Sequence, residues 1–237
     1  MRALVALLLL LAAAAPAAAQ RPRSARDDGG FDYFLLSLSL APSFCALSSR
    51  NAGNPECRDL TEAAFQETPL TIHGLWPNRA RLSSNLQPQA CSAAPFAISD
   101  ALQARLQRLM PGGPDLARYE WRKHGTCSGL DPERFFAAAA ALTEGANQTI
   151  GVALLRLRSP VRIGDLLREV AAEHPDLAPA IVVSCRFGRG GGGGGAMIEE
   201  IRVTLDKQFR PIPAASVGLG QNSGCPGGAG RIPPIGR

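Results

Sequence analysis

Apolar and polar positions divide the chain into strand-like ends and a helical middle. From Phe31 to Ala41, Leu36, Leu38 and Leu40 alternate with Ser37 and Ser39, which predicts a half-buried strand ended by Pro42. A second short strand is expected over Leu70 to Gly74, with Pro77 closing it. Ser99 and Asp100 offer an N-cap to a helix over Ala101 to Met110, where Leu102, Leu106 and Leu109 share one face and 111–114 (Pro-Gly-Gly-Pro) is the stop. A second helix is expected from Asp115 through Lys123, closed by Gly125. A third runs from Asp131-Pro132-Glu133 to about Leu142, and two more cover Gln148 to Leu157 and Ile163 to Glu173. Two β-rich runs, Ile181 to Phe187 and Ile198 to Leu205, flank the glycine run Gly190 to Gly195. No Gly-Lys-Ser/Thr follows that run and it leads into a strand, so it reads as a hairpin loop rather than a phosphate-binding loop. Strands at both ends with helices between predict an α+β domain whose sheet is mostly antiparallel.

The N-terminus changes the compartment. Arg2, an apolar run from Ala3 to Ala15, Pro16 and then Ala17-Ala18-Ala19 predict a secretory signal peptide over residues 1–19. The apolar run is shorter than the roughly 20 residues a bilayer-spanning helix needs. Residues 20–30 are polar and read as a flexible lead-in, leaving 31–237 as a single domain. The expected product is exported, periplasmic or secreted, with no membrane association after signal cleavage. Six cysteines, Cys45, Cys57, Cys91, Cys127, Cys185 and Cys225, contain no C-x-x-C pair. In an oxidising compartment they predict three disulfides and no metal site, and their connectivity stays open at this point. Asn147-Gln148-Thr149 is a formal glycosylation sequon.

Composition then shows where chemistry is concentrated. At 46% hydrophobic and 19% charged residues the chain is no disordered segment. Its formal net charge of +5 falls to +4 when Arg2 leaves with the leader, too diffuse to define a docking stripe. Against an excess of arginine there are two Trp, two Tyr and three His, and the lysines are Lys123 and Lys207. Two segments collect most of these rare types: Thr71-Ile72-His73-Gly74-Leu75-Trp76-Pro77-Asn78, and Tyr119-Glu120-Trp121-Arg122-Lys123-His124-Gly125-Thr126-Cys127. On a helix Glu120, Lys123 and His124 stand at i, i+3 and i+4 and share a face, an acid/base cluster at the helix end. Two histidines from different elements suit general acid and base catalysis, since imidazole titrates near about 6.5. Trp76 offers a flat surface on which a nucleic-acid base could stack. Lys123 is placed to neutralise a developing phosphorane. The parts fit phosphodiester cleavage without a cofactor or metal.

His-Gly-Leu-Trp-Pro at 73–77 and Glu-Trp-Arg-Lys-His-Gly-Thr-Cys at 120–127 resemble the two active-site segments of the ribonuclease T2 family. The first strand through Cys45 and the run Ile198 to Asp206 extend the resemblance over nearly the whole domain. It implies an α+β fold and a monomeric endoribonuclease of low base specificity, in which the 2′-hydroxyl attacks phosphorus and a 2′,3′-cyclic phosphate forms. It also implies His124 as base, His73 as acid, Glu120 and Lys123 beside the phosphate, and Trp76 at the base or ribose. The alternative is a family member kept for binding or toxicity, with cleavage secondary or lost; decayed members typically lose one of the four catalytic positions, all intact here. Two positions depart from the family pattern: Tyr119 replaces a frequent histidine that would contact phosphate, and Leu40 replaces a tryptophan that would contact a base. The resemblance pairs Cys45 with Cys57, Cys91 with Cys127 and Cys185 with Cys225. His174 matches no family site and is expected to be structural or at the surface.

Overall fold

The computed structural model describes residues 30–188 and 195–235. The predicted signal peptide, the lead-in up to residue 29 and most of the glycine run lie outside the described residues.

Strand β1 (Tyr33–Ser39) leads directly into helix α1 (Ala41–Leu47), so Pro42 both ends the strand and occupies the first turn of a helix. Two further short helices, α2 (Pro55–Arg58) and α3 (Glu62–Glu67), precede strand β2 (Thr71–Asn78). Helices of four to seven residues are too brief to leave a periodic apolar signature, which is why these three were not expected. Two of them are capped by side chains: Asn54 accepts from the Glu56 N–H and Thr61 from the Ala64 N–H.

The middle helices correct the predicted boundaries. Helix α4 (Asp100–Leu109) is capped by the Ser99 hydroxyl and buries Leu102, Leu106 and Leu109, as the pattern required. Helix α5 (Gly113–Lys123) starts ahead of Asp115, because Pro114 fits its first turn rather than blocking it. Helix α6 (Pro132–Ala146) runs past Leu142, its alanine run being a strong helix former. A π-turn over Asn147–Gly151 joins it to α7 (Val152–Arg156). The Asn147 amide is committed internally, its oxygen accepting from the Leu70 N–H at 2.9 Å and its nitrogen donating to the Leu70 carbonyl at 2.8 Å. The same nitrogen also donates to the Thr143 carbonyl at 3.1 Å, so a glycan on it would remove at least one of its two donated bonds. Asn147→Ala is expected to destabilise the fold by about 1–3 kcal/mol, read as a lower denaturant midpoint at unchanged slope.

After β3 (Val161–Arg162) and α8 (Ile163–Glu173) come β4 (Ile181–Arg186), β5 (Met197–Leu205), β6 (Asn222–Ser223) and β7 (Ala229–Gly230). The main sheet has the order β2-β1-β5-β4-β6 and is antiparallel except for the short β4–β6 pair; β3 and β7 form a separate two-stranded ladder. The architecture is α+β, as the chain order of elements predicts.

Two expectations about the first strands fail. Pro77 does not end β2, which continues through Asn78 with Pro77 opposite Phe34. A missing N–H is tolerated because β2 is the sheet edge. Nor is β1 half-buried: Ser37 is fully buried like Leu36 and Leu38. Phe34, Leu36 and Leu38 join the main core with Leu106, Phe135, Phe136 and Leu166, whereas Tyr33 and Leu35 pack with Val217 in a smaller cluster on the opposite face. The serine face is therefore covered, and what covers it is the candidate site. Leu40 is also fully buried in the main core, so it offers no surface for a base.

Three disulfides join Cys45 to Cys57, Cys91 to Cys127 and Cys185 to Cys225.

Candidate active site

The register of β2 against β1 shifts between Ser37 and Leu38, pairing Ser37 with Gly74 but Leu38 with Ile72. His73 is the extra residue of this bulge. A bulge re-aims a side chain without ending the strand, and here it turns His73 toward the face that carries Trp76. On that face the row Trp76, Leu35, Thr204 lies beside the row Gly74, Ser37, Arg202. The small residues Gly74 and Ser37 leave room above the sheet.

Helix α5 fills part of that room. Glu120, only 1% exposed, accepts a hydrogen bond from Trp76 Nε1 at 2.8 Å. This contact passes over Gly74, where a Cβ would stand 2.2 Å from Glu120 Oε2 and 2.3 Å from Trp76 Nε1. Gly125 answers a similar need, since a Cβ there would stand 2.2 Å from the Trp121 ring. Each of the two segments thus contains a glycine required by the side chain that packs on it. The expectation that Glu120, Lys123 and His124 share a helical face holds only in part. Helix α5 ends at Lys123, and His124 is the C-cap residue with φ −120° and ψ −47°, its N–H still bonded to the Glu120 carbonyl.

His124 and His73 flank the indole of Trp76, with ring centroids 5.4 Å and 5.1 Å away. Lys123 Nζ lies 5.3 Å from the centroid of the half-exposed Tyr119 ring. These residues line a cleft of about 320 Å³ together with Tyr33 and Asn78. All six candidate site residues, His73, Trp76, Tyr119, Glu120, Lys123 and His124, meet in it. His174 lies apart, exposed at the C-cap of α8.

The cleft treats its two imidazoles oppositely. Burial, then the charges of Lys123 and His73, push His124 down to about 3, so at neutral pH it is uncharged. Its Nδ1 is buried with no hydrogen-bond partner, an arrangement a two-donor imidazolium would not tolerate. At His73 burial acts downward too, but the hydrogen bond and charge of Glu200, with a contribution from Glu120, outweigh it and raise the pKa above 6.5. Glu120 is itself raised by burial, against the Trp76 hydrogen bond and the His73 and Lys123 charges. Glu200 and Arg202 do not stand out in the residue pattern. The available signal was a Glu-x-Arg pair in a strand made mostly of Met, Ile, Val and Leu.

The loop after β2 is tied to the end of α5. Cys91 is bonded to Cys127, the Ala90 N–H donates to the Lys123 carbonyl at 2.9 Å, and Trp121 Nε1 donates to the Ala94 carbonyl at 2.9 Å. Replacing both cysteines by serine is expected to cost about 2–4 kcal/mol of stability. Turnover should fall under conditions where circular dichroism still shows a folded protein; unchanged turnover would mean that the hydrogen bonds alone hold the cleft.

Residues 31–154 match the model of the ribonuclease T2 family, more than half of the chain, and the chain belongs to that family. Ribonuclease I of Escherichia coli (strain K12) is 33% identical over 150 residues, covering 51% of this chain and 56% of that protein. A ribonuclease of Aeromonas hydrophila is 32% identical over 116 residues, covering 49% and 46%. The chain thus spans about half the length of the curated relatives it matches. Among solved structures, RNase NT in complex with 5′-AMP superposes with a TM-score of 0.65 at 22% identity, over 86% of this chain and 98% of that one. An RNase-related protein from Calystegia sepium gives 0.61 at 20% identity, over 87% and 98%. At these identities the superpositions establish the shared fold.

Proposed function

We propose that the protein is an endoribonuclease that cleaves single-stranded RNA with low base specificity, by transphosphorylation through a 2′,3′-cyclic phosphate to 3′-phosphate ends. The observation that carries this reading is the pair of imidazoles, His73 and His124, that flank the Trp76 indole in one cleft, with their pKa values pushed in opposite directions. His124, neutral, takes the proton of the ribose 2′-hydroxyl as that oxygen attacks phosphorus. His73, as imidazolium, gives its proton to the departing 5′-oxygen. Lys123 offers its ammonium to the phosphorane, and Glu120 fixes the Trp76 indole on which the base or ribose rests. Tyr119 lies at the rim, where a phenol can hydrogen-bond a phosphate oxygen but brings no positive charge. The requirement for an internal nucleophile selects RNA over DNA, which lacks the 2′-hydroxyl.

Family membership supports the reading, as do the ribonuclease names of the curated relatives and the nucleotide bound by RNase NT. No group of three or more His, Cys, Asp or Glu able to hold a metal occurs among the described residues, and the roles above use none. The protein is further proposed to act as a monomer after export, with residues 1–19 removed as a signal peptide. No helix among the described residues is long and apolar enough to cross a membrane.

Digestion of RNA in excess EDTA tests the activity. The expected result is metal-independent cleavage with 2′,3′-cyclic phosphate ends appearing before 3′-phosphates. Tight RNA binding without cleavage would instead favour a binding or toxin role for this site.

A further inference from the structure

Glu200 stands in β5, which has β1 on one side and β4 on the other, and is only 4% exposed. Glutamate is a poor strand former, and a buried carboxylate costs several kcal/mol unless it is well paired. Ser39 and Ser184, small residues, lie opposite it on the two flanking strands. Both carboxylate oxygens are engaged. Oε1 meets His73 Nδ1 at 2.5 Å, while Oε2 accepts from Arg202 Nε at 2.7 Å and from its Nη2 at 2.5 Å. The Arg202 guanidinium lies 5.8 Å from the Trp76 ring centroid, so the clamp is built into the cleft.

We propose that Glu200 is a positioning residue for His73: by accepting a hydrogen bond from Nδ1–H it turns Nε2 toward the cleft and holds the imidazolium that protonates the leaving 5′-oxygen, with Arg202 locking its far oxygen. The proposal rests on the ribonuclease reading above. In the step it serves, the O2′–P bond forms as the 2′-hydroxyl proton passes to His124. The P–O5′ bond breaks as the Nε2 proton of His73 passes to O5′, and Glu200 stays ionised throughout.

The surroundings support this assignment. Burial would raise the Glu200 carboxyl, but its bonds to His73 and Arg202 and their charges hold it at about 2, so it does not take the proton back. The other charged groups that act on His73 or respond to it are Glu56 from α2, Glu199 from β5, Glu120 from α5, and His124 at the end of α5. Glu200 alone among these carboxylates bonds the ring directly.

The test compares wild type with Glu200→Gln on two substrates: a dinucleoside monophosphate, and a nucleoside 3′-(p-nitrophenyl phosphate) whose leaving group departs without a proton. With the dinucleotide, the alkaline limb of kcat/KM should move down by about one to three pH units, a tenfold loss per unit on that limb. The nitrophenyl ester should be cleaved at close to the wild-type rate, and Glu200→Asp should recover part of the limb. An unmoved limb, or equal loss on both esters at every pH, overturns the proposal. NMR titration of the three histidines reads His73 without reference to activity. In wild type it should titrate above 6.5 with the neutral ring protonated on Nδ1, and in Glu200→Gln it should titrate lower. If the wild-type protein does not cleave RNA, the functional reading fails and the titration still decides the Glu200–His73 pairing. If Glu200→Gln does not fold, a wild-type His73 titrating below 6.5 overturns the proposal and one titrating above it with the Nδ1 tautomer upholds it.

Discussion

Replacing either cleft imidazole by alanine is expected to lower turnover on RNA by about 10²–10⁴-fold, the usual worth of a general acid or base. The wild-type pH profile should be bell-shaped and broad toward acid. The base, His124, is neutral above about 3, so the acid limb falls there. The acid, His73, keeps its proton to a pH above 6.5, which sets the alkaline limb. A profile flat between pH 4 and 9 would remove His73 from the chemistry. His124→Ala has a second, independent signature in stability. A histidine whose folded pKa is lowered destabilises the fold as pH drops from 6.5 toward 3, because the unfolded chain takes up the proton first. The variant should therefore lose less melting temperature than wild type over that range.

The second large effect is expected at a residue with no chemistry. Gly74→Ala places a methyl group where Glu120 and Trp76 meet, closer than any van der Waals contact allows. The Trp76–Glu120 hydrogen bond must break or β2 must shift. Loss of a hydrogen bond to a charged group costs about 1.5–3 kcal/mol, and overpacking a further 1–3 kcal/mol or so. Because the indole stands between the two imidazoles and is held by that carboxylate, activity should collapse along with stability. Gly145→Ala makes the control: a Cβ there meets nothing within 4 Å, and stability should hold or rise. Equal activity in the Gly74 and Gly145 variants would show that the indole need not be fixed.

Much of this was legible in the residues. Leu102, Leu106 and Leu109 declared one helix face, and the clustering of His73, Trp76, Lys123 and His124 in a chain poor in those types marked the cleft. What stayed hidden depends on tertiary environment. Ser37 and Ser39 alternate with leucine as on any solvent-facing strand, yet Ser37 is buried because the site folds over it. Pro77 reads as a strand terminator because sequence does not say which strand lies at an edge. The bulge at His73 is a matter of register, and register emerges only when β1 and β2 pair. Glu200 lies more than a hundred residues from His73, so their contact has no local trace.

The three disulfides join cysteines that are consecutive along the chain, with loops that neither nest nor cross. A chain threaded from its N-terminal end into an oxidising space would therefore present each cysteine's correct partner before any wrong one. Cys45 meets Cys57 after 12 residues, and both are consumed before Cys91 appears. In such a chain the order of emergence alone would specify the native pairing, and Cys91–Cys127 would join the loop after β2 to the end of α5 before β4 and β5 arrived to complete the sheet.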